Sequence, residues 1–470
     1  MVQSIPVRNP RTGVMDYEIT PPSAEALVAL CDRLRHGQSD WQTQGIAHRI
    51  EALQSWKQAL LERKDALVEA VVADTGRWSE SVLEVDSFLS GLDRWCRLAP
   101  ELLTTPPPKT AAIPFIELHP QVVPYPLVGV ISPWNFPLLL ATIDAIPALL
   151  AGCAVVVKPS EIAPRFMAVL MEAIATVPAL QSVLSFIEGA GETGAALIQS
   201  VDAVCFTGSV PTGKKVAMAA AQRMIPAFLE LGGKDPAIVL ESADLDQATS
   251  ALLWGSVVNA GQSCLSIERI YVAETVCDRF TEQLVHKAKQ LKLAYPNPDS
   301  GQIGPIISAP QASIIQTHLQ DAVQKGAVVK CGGVVEERGG GLWVEPTVLT
   351  QVNRSMAVMT DETFGPIMPV MPFATVEEAI WLANDTTYGL SASVFAGTPD
   401  EAQTIGQQIQ AGAISINDAG LTALVHEGEK NAFKSSGLGG SRMGPASIQR
   451  FIRKQVFLVK TPSAADPWWF

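Results

Sequence analysis

From Ser23 to about residue 102, apolar side chains recur at intervals of three and four. They do so in Ile50, Leu53, Trp56, Leu60 and Leu61, and again in Leu67, Ala70 and Val71. This spacing lines one face of a helix and predicts a helical block. Pro106, Pro107 and Pro108 close it, because successive prolines remove backbone donors and hold the chain extended. Ahead of the block, residues 1 to about 20 read as a short strand and turn. Behind it, 115–118 and 121–123 read as the two strands of an apolar arm.

From residue 128 the rhythm changes. Unbroken apolar runs at 128–131, 154–157, 183–187 and 203–206 alternate with helical stretches such as 138–150. Such runs are characteristic of strands buried on both faces, and their alternation with helices predicts a doubly wound α/β sheet. A second segment repeats the theme. Strands are expected over 237–240, 270–272, 327–331, 369–373 and 393–395, and helices over 276–291, 310–325 and 376–383. The tail is glycine-rich from 437, helical over 445–452 and extended over 455–459. It ends in Trp468, Trp469 and Phe470, which are expected to pack on a neighbouring subunit or to cap a substrate channel.

A chain of 470 residues is long enough for two or three domains. Its 34 Lys and Arg against 47 Asp and Glu give a formal charge of −13 with no basic cluster, which argues against nucleic acid as a partner. Neither a signal peptide nor an integral membrane segment is legible. The seven cysteines are odd in number and scattered, so a reducing cytoplasm with no structural disulfide and no metal site is expected.

A free cysteine is most often a small buried hydrophobe, and Cys153 and Cys205, inside apolar runs, read that way. Cys264 differs: Asn259, Gly261, Gln262 and Ser263 surround it with polar and flexible positions, which makes it the candidate nucleophile. Glu230 lies between Phe228-Leu229 and Leu231, where an apolar setting raises a carboxylate's pKa; it reads as a general base or as a buried hydrogen-bonding group. The glycine pattern over 189–194 follows a strand and precedes a helix, and taken alone it marks a dinucleotide pyrophosphate site. Arg94 and Arg97 read as solvated helix charges or as neighbours of a substrate entrance.

An ordered set of blocks then resembles the aldehyde dehydrogenase superfamily, in its NAD(P)-dependent, non-acylating, cysteine-nucleophile form. These are Pro133-Trp134-Asn135-Phe136-Pro137, Lys158-Pro159-Ser160-Glu161, Phe206-Thr207-Gly208-Ser209, Leu229-Glu230-Leu231-Gly232-Gly233-Lys234, Asn259 to Cys264 with Arg269, and Glu362-Thr363-Phe364-Gly365-Pro366. The resemblance implies that Cys264 attacks an aldehyde and that the Asn135 amide, with the backbone N–H of Cys264, receives the oxyanion. After hydride loss, Glu230 would activate water against the thioester. It also moves the pyrophosphate to the helix opened by Phe206, Thr207, Gly208 and Ser209, leaving Gly191 at the adenosine end. Lys158, Ser160 and Glu161 would hold the adenosine ribose. Ile131, Ser132, Pro133, Trp134, Leu231 and Gly232 would line the cofactor, Glu362 would bind the nicotinamide ribose and Phe364 would line the ring's pocket. A carboxylate at Glu161 repels a 2′-phosphate, so NAD is expected, with NADP use left open by Lys158.

The fold implied is a Rossmann-type cofactor domain from 1–110 and 128–230, an α/β catalytic domain over 231–436, and a small β bridging and oligomerisation element from 111–127 and 437–470, in a homodimer or homotetramer. Two departures stand out. Many members carry tryptophan and lysine eight and nine residues after the oxyanion asparagine, where this chain has Ile143 and Asp144; and the family's Pro-Phe-Gly-Gly is replaced by Asn431 to Gly437. Members acting on succinate semialdehyde carry arginine where Val258 stands. With Ser263, Leu265 and Phe433, Val258 suggests a pocket for an apolar aliphatic or aromatic aldehyde. A carboxylate-bearing semialdehyde, clamped by Arg94 or Arg97, is the alternative. Glu230 argues for water rather than coenzyme A as acceptor of the acyl group. A catalytically silent NAD-binding or structural protein would have lost Cys264 or Glu230, and neither is lost.

Overall fold

The computed structural model describes residues 4–462. A hairpin, Ile5–Arg8 with Met15–Ile19, leads into four helices: Ala24–Thr43, Gly45–Leu61, Lys64–Thr75 and Ser79–Leu102. The first starts where Ser23 accepts the N–H of Ala26 through its side chain, a helix cap that replaces a missing intrahelical partner. Leu53, Trp56 and Leu60, from the periodic run, are all buried.

These helices pack on a six-stranded sheet. Its spatial order is Leu184–Phe186, Ala154–Lys158, Leu127–Ile131, Ala203–Thr207, Ala227–Glu230 and Gly437–Leu438. The first five are parallel, and Gly437–Leu438 adds to the edge antiparallel. The earliest of them in the chain, Leu127–Ile131, lies in the middle, so the winding reverses there. The apolar runs are buried throughout, as a sheet covered on both faces requires.

A seven-stranded sheet forms the second layer. Its order is Val328–Cys331, Thr347–Thr350, Ile367–Phe373, Ile267–Ala273, Asp235–Val239, Ser391–Phe395 and Ala413–Ile416, parallel except for the first. Each large sheet has its own apolar core. The first core draws in Ile448 and Phe451 from near the C-terminus. Among the described residues, no helix is long and apolar enough to cross a membrane.

Three local expectations are corrected. The arm is not a pair of strands but one strand, Ile116–Pro124, passing straight through His119 and Pro120. Its partner is Ile452–Lys460, more than three hundred residues downstream, with Lys109–Thr110 covering only Glu117 and Leu118. Pro120 is tolerated because only one side of the strand is paired at that point. The helix expected over 138–150 is two, Pro137–Thr142 and Ala145–Ala151. Pro147 clashes with the carbonyl four residues earlier in a continuous helix, at Ile143, which is where the chain breaks. The tail helix shrinks to Ala446–Gln449 and its strand lengthens to Ile452–Lys460. Trp468, Trp469 and Phe470 lie outside the described residues.

Candidate active site

Most of the candidate residues gather at the carboxyl ends of the six-stranded sheet, where open α/β sheets form ligand crevices. One strand ends at Ile131 and is followed by Ser132, Pro133, Trp134 and Asn135. Its neighbour ends at Lys158, followed by Ser160 and Glu161. On the other side, strands end at Thr207, followed by Gly208 and Ser209, and at Glu230, followed by Leu231 and Gly232. The reversal of winding lies between Ile131 and Phe206, which pair directly.

Lys158 is buried, and its Nζ donates to the carbonyl of Gly189 at 2.7 Å while lying 3.6 Å from the Glu161 carboxylate. The glycine loop therefore meets the lysine, and Gly191 opens the helix Gly191–Ile198 beside them. Burial lowers the pKa of Lys158, with Glu161 opposing. Ser209 is exposed at the start of the helix Val210–Gln222, its Oγ donating to Thr212 Oγ1 at 3.1 Å. The first-turn N–H groups of such a helix have no intrahelical partner and form a ready anion site. Ser132 Oγ is buried with no hydrogen-bond partner among the described residues.

The turn that carries Cys264 is wound unusually. Asn259, Ala260 and Gly261 all have positive φ, at 54°, 52° and 72°. Two consecutive non-glycine residues in this region are strained and persist only where the surroundings fix them. Here Asn259 N–H donates to Glu80, its side chain donates to the carbonyls of Asn135 at 2.9 Å and Gln262 at 3.0 Å, and Gln262 Nε2 donates back to Asn259 at 2.9 Å. At Gly261 an added Cβ falls 2.2 Å from the Gly365 carbonyl, so no other residue fits. Asn135, nearly fully buried, gives one amide hydrogen to the carbonyl of Gln262 at 3.0 Å, and the second finds no acceptor among the described residues. Its own segment is braced from behind. Glu84 accepts the N–H of Leu139 at 2.9 Å and pairs with Arg77, whose guanidinium lies over the Phe136 ring.

Cys264 is half-buried and its thiol end is enclosed. Burial, followed by the charges of Glu362, Asp235 and Glu230, pushes the thiol up to about 12, with Lys430 opposing. Cys264 and Glu230 are thus electrostatic neighbours. Glu362 accepts the N–H of Gly233 at 2.9 Å and lies so close to Gly232 that a Cβ there would sit 2.4 Å from it. Trp134 and Phe364 meet edge to face with centroids 5.6 Å apart. Glu230 is raised by burial, against the charges of Arg442, Arg450 and Lys430, with Asp144 adding to the rise.

The residues expected to line a substrate pocket are dispersed. Val258 opens onto a cavity of about 390 Å³ with Leu83, Trp254 and Lys287, whereas Ser263 Oγ accepts the N–H of Leu265 within the turn. Phe433 is exposed and donates its N–H to the Gly389 carbonyl. A different cavity, of about 350 Å³, opens beside the helix that follows Asn135, with Phe88, Trp95, Leu139 and Ile143 in its walls and Arg94 and His426 among them. Arg94 Nη1 and His426 Nδ1 are buried without a hydrogen-bond partner among the described residues. Burial and then the Arg94 charge push His426 down to about 4, so the ring is neutral.

Sequence reasoning assigned no part to Glu268 or Arg442. Glu268 accepts from Lys234 Nζ at 2.6 Å and from the N–H groups of Thr363 at 2.7 Å and Phe364 at 2.8 Å, and so holds the loop that presents Glu362. Its one signal is an acid that, with Arg269, interrupts the buried run of the strand Ile267–Ala273. Arg442 donates to Asp144 at 2.9 Å from a tail segment with no recognisable pattern. Arg269, part of the cysteine block, donates to the carbonyls of Lys234, Leu382 and Ala383 and serves as a buried tie beneath the site.

The model of the "Aldehyde dehydrogenase family" matches residues 2–457. A solved structure from Anabaena variabilis, described as the putative aldehyde dehydrogenase PutA, is 66% identical and covers 100% of both chains with a TM-score of 0.98. A solved structure of a point mutant of betaine aldehyde dehydrogenase from Staphylococcus aureus, in complex with NAD+, is 29% identical, covers 99% of this chain and 96% of its own, and has a TM-score of 0.92. A Mycolicibacterium smegmatis protein named putative succinate-semialdehyde dehydrogenase (NADP+) is 35% identical over 478 residues, covering 99% of this chain and 90% of its own length.

Proposed function

The chain belongs to the aldehyde dehydrogenase family, and on that premise we propose that it oxidises an aldehyde to the carboxylic acid, with NAD as hydride acceptor, through a covalent intermediate on Cys264. The observation that carries the proposal is the bond from Asn135 to the Gln262 carbonyl, which anchors an amide with one free hydrogen two residues ahead of the cysteine.

The residues fit a dinucleotide. An open helix start at Ser209, the unpartnered Ser132 hydroxyl, the Lys158–Glu161 pair and the Glu362 carboxylate on Gly233 line the ends of parallel strands. When bound, the nicotinamide supplies the hydride acceptor. The protein does the rest. Cys264 Sγ, once deprotonated, adds to the aldehyde carbon, and the free Asn135 hydrogen with the Cys264 N–H receives the oxyanion. Hydride departure leaves a thioester on Cys264. Glu230 then takes a proton from water, the water oxygen bonds to the acyl carbon, and the carbon–sulfur bond returns its electron pair to sulfur. Glu161 favours NAD over NADP because it disfavours a 2′-phosphate.

The walls formed by Phe88, Trp95, Leu139 and Ile143 support an apolar aldehyde body. A carboxylate-bearing aldehyde is the second reading, favoured by the unpartnered Arg94 Nη1 in the same cavity. The two cores support a cofactor domain of 1–110 with 128–230 and a catalytic domain of 231–436, joined by 111–127 with 437–470. Val456, Phe457 and Leu458, exposed on the three-stranded sheet, support assembly into a homodimer or homotetramer. The seven free cysteines support residence in the cytoplasm.

NADH absorbance with aliphatic, aromatic and carboxylate-bearing aldehydes tests the proposal. Cys264→Ala is expected to give none, and Glu230→Gln to give one equivalent of NADH followed by slow turnover. Steady turnover by Cys264→Ala would overturn the covalent route.

A further inference from the structure

Asp144 is a buried acid at the junction of two short helices, and the fold gives it two cationic partners. The carboxylate is fully buried between the helices Pro137–Thr142 and Ala145–Ala151. It accepts from Arg442 Nη2 at 2.9 Å and from Arg450 Nη2, both brought in by the C-terminal segment. Arg442 Nη2 also donates to Thr207 Oγ1, and Thr207 is the residue paired with Glu230 across the sheet. On the other edge of Glu230 lies Gly437, from the same C-terminal segment. Arg450 is fixed between the Phe228 and Phe451 rings, 5.0 Å from each centroid.

Two guanidinium groups on one carboxylate leave a positive charge without a partner in a place closed to water. Buried charge is stable only when compensated. The Nε groups of both arginines are buried and find no acceptor among the described residues. The anion in electrostatic reach of both is Glu230. The other charged and titratable groups that face Glu230 are Lys430 from the tail loop, Asp144 itself, and Cys264 from the nucleophile turn. For Arg442, burial works against its charge, yet Asp144, Glu230 and Cys205 together lift its pKa above the ordinary arginine value.

We propose that Arg442, oriented by Asp144 and held on Thr207, the residue paired with Glu230, is a positioning residue for Glu230: its fixed charge favours the carboxylate form that takes the proton of the hydrolytic water. Arg442 itself neither gains nor loses a proton. The inference rests on Glu230 being the general base for thioester hydrolysis.

The test uses p-nitrophenyl acetate on the cofactor-free, full-length protein. Acylation of Cys264 releases nitrophenolate, and the later disappearance of the acetyl-enzyme, followed by mass spectrometry, reports hydrolysis. Its rate against pH has an acid limb set by the base. Arg442→Gln is expected to move that limb up by about one pH unit or more, and Asp144→Asn to move it down, because removing a cation and removing an anion have opposite effects. Arg442→Lys keeps the charge and is expected to stay near the parent limb, whereas a purely structural role would change melting temperature without opposite displacements. An unmoved limb in folded Arg442→Gln, or displacement of both variants in one direction, overturns the proposal. If Arg442→Gln and Asp144→Asn fail to fold, Arg442→Lys decides, and a displaced limb there overturns it. Glu230→Gln separates the two readings: if that variant hydrolyses its acetyl-enzyme like the parent, it is the general-base reading that fails.

Discussion

Glu362 accepts the backbone N–H of Gly233 at 2.9 Å, on a turn whose glycine surface also meets the carbonyl of Cys264. Burial, followed by the Glu268 charge, pushes Glu362 up to about 8 from 4.5. A carboxyl group raised in this way contributes stability that is fully present below the unfolded value and is lost as pH rises through the folded one. Glu362→Gln removes the contribution. Its melting temperature is expected to fall less than the parent's between about pH 5 and pH 8, and parallel profiles for the two proteins would contradict the assignment. Asp235, pushed up to about 7, and Asp74, pushed up to about 8, act in the same direction and remain in the variant.

The same carboxylates bear on the nucleophile. With its thiol pushed up to about 12 by burial and by Glu362, Asp235 and Glu230, Cys264 of the cofactor-free protein is a poor target for alkylation at neutral pH. Iodoacetamide labelling, read by mass spectrometry, is expected to quicken with every rise in pH up to about 10 without levelling off, since the thiolate is the reactive form. A plateau near neutrality would show an activating neighbour that the charges around Cys264 do not provide.

Asn135→Ala removes the side-chain amide proposed to receive the oxyanion. A loss of roughly 10²–10³ in kcat with little change in KM is the expected result. Because the Asn135 side chain also donates to the Gln262 carbonyl, NAD binding and melting temperature must be measured beside it. Equal losses in all three would mean that the turn, not the oxyanion, had been damaged.

Glu161 lies 3.6 Å from a lysine that is already held by Gly189. Glu161→Gln removes the carboxylate charge that the proposed reading sets against a 2′-phosphate, and with it the charge paired with Lys158. The ratio of kcat/KM for NADP to that for NAD is expected to rise by at least about tenfold. An unchanged ratio places the discrimination elsewhere.

Much of this was legible in one dimension. The strands of the first sheet are continuous apolar runs, because a sheet covered on both faces has no polar side to interrupt them, and Cys264, Asn135 and Glu230 sit in recognisable blocks. What could not be read depends on distant pairing. Nothing in residues 116–124 announces a partner at Ile452–Lys460, so the arm looked like its own hairpin. Asp144 looked like an unexplained replacement because Arg442 and Arg450 lie almost three hundred residues away. Glu268 was in view, but the loop it holds arrives from residues 362–364. Val258, read from its place six residues before Cys264, and Phe433, read from the tail block, face different surroundings.

The edge strand Gly437–Leu438, the apolar contacts of Ile448 and Phe451, and both arginines on Asp144 all reach the first sheet from the end of the chain. Synthesis runs from the N-terminus, so these segments are made after the five parallel strands they complete. Without them Glu230 lacks its strand neighbour on one side and Asp144 lacks both of the arginines that donate to it. A nascent or truncated chain can therefore hold Cys264, Asn135 and Glu230 and still lack the closed sheet edge beside Glu230. Synthesis of the segment from Gly437 onward, rather than of Cys264 itself, is what completes the sheet edge beside Glu230.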